Sequence, residues 1–368
     1  MKNNNNLLFV LPNDKLGGAE QHLKNLVFFF SKSFNQINIV FLKKRDVDAW
    51  NDLPSNVKIE YSSFNTEKGG IFFLIKKIYK ISKKNNIDYT FSSHTHINGF
   101  LGFLRFLKIF KTDKLIVRES TTILTRFAGL KLFLFKMQYL LGYRYNDLVI
   151  CQTDKMKNEL EKYLHVAKKW KRVVIQNPVD LNKIAQLSYE KITLPFESEF
   201  IVTAGRLIQL KGFDILIEAF SKITKKYKKL NLIILGEGEE KNNLQSQIKR
   251  HELSNRIKLL GHVNNPIPYF KAAKVCVVSS LVEGFPNVLL QMMSQNSRVV
   301  STTCAGGIDK IEGLFTCEPK NVTELANVIN NALNFKDVSE IRKKYDIFLS
   351  NNTVEKYVER IISHLNAK

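Results

Sequence analysis

At 368 residues with 44% apolar content, the chain has material for two ordinary domain cores. No apolar run approaches the roughly 18 residues of a membrane span, and Leu7–Leu11 is too short for a signal-peptide core, so a cytosolic protein is expected. The formal net charge of +22 points to a polyanionic partner (nucleic acid, anionic lipid or a phosphorylated substrate) or else to simple lysine bias.

The first half alternates apolar runs with helix-period segments. Leu7–Leu11 reads as a strand, and residues 19–34 as a helix with Leu23, Leu26, Val27 and Phe30 on one face. Residues 37–42 form a second strand, and Ile71, Leu74, Ile75 and Ile78 have helical spacing. Strands follow at 88–92, 114–117 and 147–152. The second half repeats the pattern: strand 200–205, helix 212–223, strand 230–236, helix 239–251, strands 257–260, 275–279 and 298–301, and a late helix 323–333. Alternation of this kind implies parallel βαβ units, hence two Rossmann-like, doubly wound α/β domains. The boundary is expected after Asn177-Pro178-Val179-Asp180, giving domains 1–185 and 186–350, with 351–368 as a C-terminal helix returning to the first domain. Open α/β sheets bind ligands at their strand carboxyl ends, so a central cleft faced by both domains is the expected site.

The four cysteines, Cys151, Cys276, Cys304 and Cys317, form no C-x-x-C pair and have no histidine at ligand spacing, which argues against a disulfide framework or a zinc site. Three segments carry chemistry. Gly17-Gly18-Ala19-Glu20 joins the first strand to a helix, where glycines admit a phosphate or sugar to the backbone and the helix start supplies N–H groups. Gly205-Arg206-Leu207 precedes Lys211-Gly212, and two cations at a strand end can neutralise a diphosphate leaving group. Glu283-Gly284-Phe285-Pro286-Asn287-Val288 sets a carboxylate in the turn before a helix whose first amides suit an anion, with Gln291 further along in reach of a ribose.

In this order, the motifs GGAE (17–20), GRL…KG (205–212), GEGE (236–239), EGFPNVLLQ (283–291) and AGGI (305–308) resemble glycosyltransferase family four, retaining enzymes of the GT-B fold. The resemblance spans most of the chain. It implies that Arg206 and Lys211 hold a nucleotide-sugar diphosphate and that Glu283 holds sugar hydroxyls. Gly17, Gly18, Gly236, Phe285, Asn287, Val288, Gly306 and Gly307 are implied to line the donor. Gln291 stands where the family usually has a second glutamate, so ribose binding loses charge-assisted bonds. The family's histidine near the reacting sugar corresponds to His96, or else to His94, and Glu119 is placed on the acceptor side. No metal or other cofactor is implied. The triplet Asp46-Val47-Asp48 reads as solvated surface, and Gly236-Glu237-Gly238 lacks the third glycine of a dinucleotide fingerprint because position 241 is Lys241.

The expected activity is retaining transfer of a sugar, from UDP-hexose or UDP-N-acetylhexosamine ahead of GDP-mannose, to a lipid-linked glycan in surface polysaccharide synthesis. Residues 100–145 interleave Phe and Leu with Lys and Arg, which suits peripheral contact with an anionic membrane on its cytoplasmic side. No nucleic-acid motif accompanies the positive charge. The competing readings are a degenerate, non-catalytic subunit, motivated by Gln291, and a phosphorylase or epimerase on the same fold.

Overall fold

The structure, a computed structural model, describes residues 6–45, 48–84 and 86–367; Asp46 and Val47 of the D-x-D triplet lie outside the described residues. The chain divides into two compact units, residues up to Pro178 together with those from Val354 onward, and Val179–Thr353. The crossing falls earlier than position 185 for a packing reason: Val179 and Ile184 lie in the core of the second unit. Asp180 caps the helix Leu181–Leu187 there by accepting from the Lys183 amide at 2.9 Å. The helix Val354–Asn366 belongs to the first unit, where Tyr357 meets the buried His22 edge-on with ring centroids 4.9 Å apart.

The first unit holds seven strands: β1 (Asn6–Leu11), β2 (Gln36–Phe41), β3 (Val57–Tyr61), β4 (Tyr89–Ser92), β5 (Lys114–Arg118), β6 (Leu148–Cys151) and β7 (Arg172–Val174). Their order is β3-β2-β1-β4-β5-β6-β7, and every neighbouring pair is parallel. The second unit holds six: β8 (Phe200–Ala204), β9 (Asn231–Leu235), β10 (Ile257–Gly261), β11 (Val275–Val278), β12 (Val299–Thr302) and β13 (Phe315–Cys317). They are ordered β10-β9-β8-β11-β12-β13 and are likewise parallel throughout. Central strands such as Leu7–Leu11 and Val275–Val278 are apolar and buried on both faces, as a sheet covered by helices on both sides requires. In each unit the strand order reverses once, between β1 and β4 and between β8 and β11. Connections leave such a pair toward opposite faces, so a crevice opens at the shared carboxyl end.

One helix pair in the first unit packs unusually closely. A Cβ on Gly142 would lie 1.7 Å from the Gly99 carbonyl oxygen, and one on Gly102 would lie 2.1 Å from that of Gly142. The helices Thr95–Phe106 and Gly129–Gly142 therefore touch backbone to backbone. The second helix buries Tyr139 but turns a strip of apolar residues outward: Leu130 is 74% exposed and Phe133 57%, with Leu134 and Leu141 also exposed. Lys131 and Arg126 flank the strip over the Phe127 ring at 4.2 and 5.6 Å. Among the described residues no helix is long and apolar enough to cross a membrane.

Candidate active site

In the second unit, β8 runs through Gly205-Arg206-Leu207 and a short 3-10 turn, Gln209–Lys211, into the helix Phe213–Thr224. Gly212 links the two in a left-handed conformation, φ +60°, and a Cβ there would lie 2.3 Å from the Ser279 carbonyl oxygen. That close approach seats the β8 turn on the end of β11. Leu281 N donates to Leu210 O at 2.8 Å, and Ser279 Oγ donates to Lys211 O at 2.9 Å. Lys211 Nζ then donates to Glu283 Oε1, which also accepts from Ser280 Oγ at 3.0 Å. The turn after β12 joins them, since Glu283 N donates to Cys304 O at 2.8 Å and Thr302 Oγ1 to Ser280 O at 2.5 Å.

The Lys211 and Glu283 side chains are each about one-fifth exposed, at 19% and 20%, so the pair is sheltered yet reachable. The Arg206 side chain is exposed and makes no hydrogen bond or ion pair among the described residues, while its carbonyl accepts from Ile208 N at 2.8 Å. Asn287 and Val288 start the nine-residue helix Asn287–Gln295 behind Pro286, and the half-buried Gln291 follows one turn later. Gly307, at φ +85°, turns the chain past Cys304 and Ala305 toward the buried Ile308.

In the first unit, Gly17 and Gly18 are exposed at the start of the helix Gly18–Ser31. Glu20 caps that helix, one oxygen accepting from Gly17 N at 3.1 Å. Its other oxygen lies 3.0 Å from His94 Nε2. His94 precedes the helix Thr95–Phe106 at the end of β4, so one carboxylate joins the turns leaving two adjacent strands. Burial works to raise the Glu20 pKa, but the His94 hydrogen bond and charge and the backbone amides outweigh it and hold the carboxyl below its usual range. His96 Nε2 lies 3.9 Å from Glu67, beyond hydrogen bonding, and is buried without a hydrogen-bond partner among the described residues. Burial first, and then the His94 charge, lower the His96 pKa to about 4 against the opposing pull of Glu67, so the ring is neutral at pH 7. Among the described residues no three His, Cys, Asp or Glu side chains gather as a metal-ligand set.

Residues 16–183 match the model of Glycosyltransferase Family 4, and residues 186–362 that of the glycosyl transferases group 1. The chain belongs to the family 4 glycosyltransferases. An uncharacterized glycosyltransferase of Methanocaldococcus jannaschii is 32% identical over 69% of this chain and 64% of its own length. One of Haemophilus influenzae is 24% identical over 95% of this chain and 97% of that protein. The Campylobacter jejuni N-acetylgalactosamine-N,N'-diacetylbacillosaminyl-diphospho-undecaprenol 4-alpha-N-acetylgalactosaminyltransferase is 28% identical over 66% of this chain and 64% of its own length. Among solved structures, Anabaena HepE with UDP and glucose superposes with a TM-score of 0.79 over 98% of this chain and 99% of that one, at 21% identity. A Rickettsia africae glycosyltransferase gives 0.78 over 99% and 98%, at 17% identity. At such identities the likeness is one of fold, and that fold is GT-B.

In this family 4 glycosyltransferase the β8, β11 and β12 turns bring Lys211, Glu283 and the Cys304 carbonyl together, with Gly306 and Gly307 following in the chain after Cys304. Two residues expected to line the donor are also held by packing. The Phe285 ring is 5% exposed and lies in the core of the second unit, so burial of the aromatic anchors the turn. Gly236, at φ +145°, is shaped by packing: a Cβ there would lie 1.8 Å from the Gly205 carbonyl oxygen. Glu119 is also inward. Its carboxylate, 2% exposed, accepts from Tyr139 Oη at 2.6 Å, from Tyr143 Oη and from Thr95 Oγ1 at 3.3 Å. Burial raises its pKa against those bonds, so it forms part of a core network and not of an open acceptor face. Between the histidines, His94 rather than His96 makes the hydrogen bond to the Gly17–Gly18 element. Reasoning along the chain missed Ser280 and Thr302, whose hydroxyls set the Glu283 turn, and the second bond of Glu20. A Ser-Ser-x-x-Glu turn after a buried strand was the available signal for Ser280.

Proposed function

We propose that this glycosyltransferase transfers a hexose or N-acetylhexosamine, with retention of anomeric configuration and without a metal ion, from a UDP-sugar to a lipid-linked glycan. The observation that carries the donor half is the Lys211–Glu283 pair at the reversal point of the second sheet. Arg206 and Lys211 supply positive charge for a diphosphate, and Glu283 accepts from sugar hydroxyls. The acceptor oxygen bonds to the anomeric carbon as the bond from that carbon to the diphosphate oxygen breaks. The acceptor's proton passes to the leaving diphosphate, and the protein's part is placement and charge stabilisation. Uridine is favoured because the Anabaena structures hold UDP and UDP-glucose.

A polyprenyl-diphosphate acceptor is supported by the name of the Campylobacter relative, and a role in surface glycans by a Rhizobium meliloti lipopolysaccharide core relative and a Staphylococcus aureus capsule relative. Such an acceptor sits at a membrane. The outward strip Leu130, Phe133, Leu134 and Leu141 with its flanking cations suits insertion among anionic headgroups, so the protein works as a peripheral protein on the cytoplasmic face. The test is thermal shift against a panel of nucleotide sugars in EDTA, followed by product analysis with the best donor. A melting point that rises with UDP-sugar concentration and an α-linked product from an α-linked donor are expected. Stabilisation by no nucleotide sugar, or turnover restored only by a divalent ion, overturns the reading.

A further inference from the structure

We infer that Glu20 is a positioning residue for the transfer reaction, tying the Gly17–Gly18 turn to His94 and orienting the imidazole so that Nδ1 is the atom offered to a hydroxyl of the bound sugar. This rests on the functional reading above. A helix cap accounts for only one of the carboxylate's two oxygens, the one 3.1 Å from Gly17 N. The other is 3.0 Å from His94 Nε2, across a chain separation of 74 residues (94 minus 20). A carboxylate only accepts, so Nε2 carries the hydrogen of that bond. That leaves Nδ1 as the ring atom open to a ligand, and it is buried with no hydrogen-bond partner among the described residues.

A buried ring nitrogen without a partner lowers stability, and a group left in that state calls for an explanation. Here the explanation is a ligand, because the nitrogen belongs to the turn where the first sheet reverses between β1 and β4. Glu20 also couples turn and ring mechanically: a side chain at position 17 would start 2.7 Å from its Oε2. The charged and titratable groups around His94 are Glu20 on the first helix, His96 two residues along with its ring 6.1 Å away, Glu67 beyond His96, and Arg118 from β5, which feels the Glu20 charge. Glu20 alone among them hydrogen-bonds the ring, so it sets both tautomer and orientation.

The experiment compares the full chain with Glu20→Gln, Glu20→Ala, His94→Gln and the Glu20→Gln/His94→Gln double variant. Glutamine has one acceptor oxygen for two donors, so either the turn or the ring loses its partner. Histidine ¹⁵N spectra without substrate, assigned with His94→Gln, are expected to show the Nε2–H tautomer in the wild type and a tautomer mixture in Glu20→Gln. With the donor identified by thermal shift, Glu20→Gln is expected to lower kcat about tenfold or more while the donor KM moves less than about threefold, the pattern of a misplaced group that acts in the transition state. The double variant should be no slower than His94→Gln alone. Wild-type tautomer and kcat in both Glu20 variants, with only a lower melting point, would reduce Glu20 to a cap and overturn the inference, as would additive losses in the double variant. A wild type that binds no nucleotide sugar overturns the functional reading, while the tautomer still reports on the pair.

Discussion

Arg118 Nη1 donates to Ser93 Oγ at 2.8 Å inside the first unit, immediately before His94 in the chain. Its Nη2 donates to Asn177 Oδ1, Asn177 Nδ2 donates to Gln152 Oε1 at 3.0 Å, and Gln152 Nε2 to Glu119 O at 2.8 Å. Arg118 is 4% exposed, and burial lowers its pKa while the Glu119 and Glu20 charges oppose that fall. One guanidinium thus pins the histidine turn and the last residues of the unit before the chain crosses at Pro178.

Arg118→Met should therefore destabilise the protein by about 3 kcal/mol, because Ser93 and Asn177 lose their donor and the Glu119 and Glu20 charges lose a nearby cation. Urea denaturation measures this. Arg118→Lys keeps the charge but has no planar fork to reach two acceptors, so it should recover only part of the loss. Equal stability of wild type and Arg118→Met would show that the network is idle.

The Lys211–Glu283 pair separates nucleotide from sugar recognition. Glu283→Ala should leave UDP binding within about threefold, abolish the extra affinity of the UDP-sugar over UDP, and lower turnover by about 10²-fold or more. Lys211→Ala should weaken UDP itself and leave Glu283 with Ser280 as its side-chain donor. Calorimetric titration with UDP and UDP-sugar reads both, and equal losses for the two ligands in Glu283→Ala would break the assignment.

Much of this arrangement was legible before folding, and what was not has identifiable causes. Strands such as Leu7–Leu11 and Val275–Val278 are unbroken apolar runs, so their places could be read within a residue or two. β3 alternates at a half-exposed edge, and β7 and β13 have three residues each, too few for periodicity to register. Motif glycines marked the right turns, but Gly236 and Gly212 answer to neighbouring carbonyls that only the sheet order brings near. The Glu20–His94 bond joins β1 to β4, neighbours in space with two strands between them in the chain. Phe285 illustrates the converse: sequence adjacency to Glu283 says nothing about which way a ring turns, and its apolar surface sent it inward.

Acid should weaken the fold through His22. This residue lies 3% exposed against Tyr357, and burial, then the Arg118 charge, hold its pKa well below the ordinary value. The unfolded chain takes up a proton near pH 6.5 that the folded chain refuses, so His22 contributes stability above that pH which is lost as pH falls toward the folded pKa. One such proton gives a slope of about 1.4 kcal/mol per pH unit. His96, lowered to about 4, adds the same sign. Glu119, whose pKa is raised, has the opposite sign, its contribution being fully present at low pH and lost as pH rises through its folded pKa. His22→Phe keeps an aromatic edge on Tyr357 and should flatten the dependence of stability on pH between about 6.5 and 4.5. Unfolding curves at three pH values would reveal an unchanged slope if His22 has no part.

The outward strip on the helix Gly129–Gly142 can be separated from the packing beneath it. Leu130, Phe133 and Leu134 are exposed, so their combined replacement by Ser should change the melting point by only about 2 °C. If the strip enters a bilayer, the same variant should fail to float with anionic liposomes that carry the wild type. Raising salt should release the wild type from such vesicles in part, because the flanking Lys131 and Arg126 are screened while apolar insertion persists. Gly142→Ala is the contrasting change: its methyl would start 1.7 Å from the Gly99 carbonyl oxygen, forcing the two helices apart. That variant should lose several degrees of melting temperature with the strip's own residues intact. Flotation of the triple variant equal to wild type would assign membrane contact elsewhere, and a melting point that falls as far as in Gly142→Ala would mean the strip is covered by protein in solution.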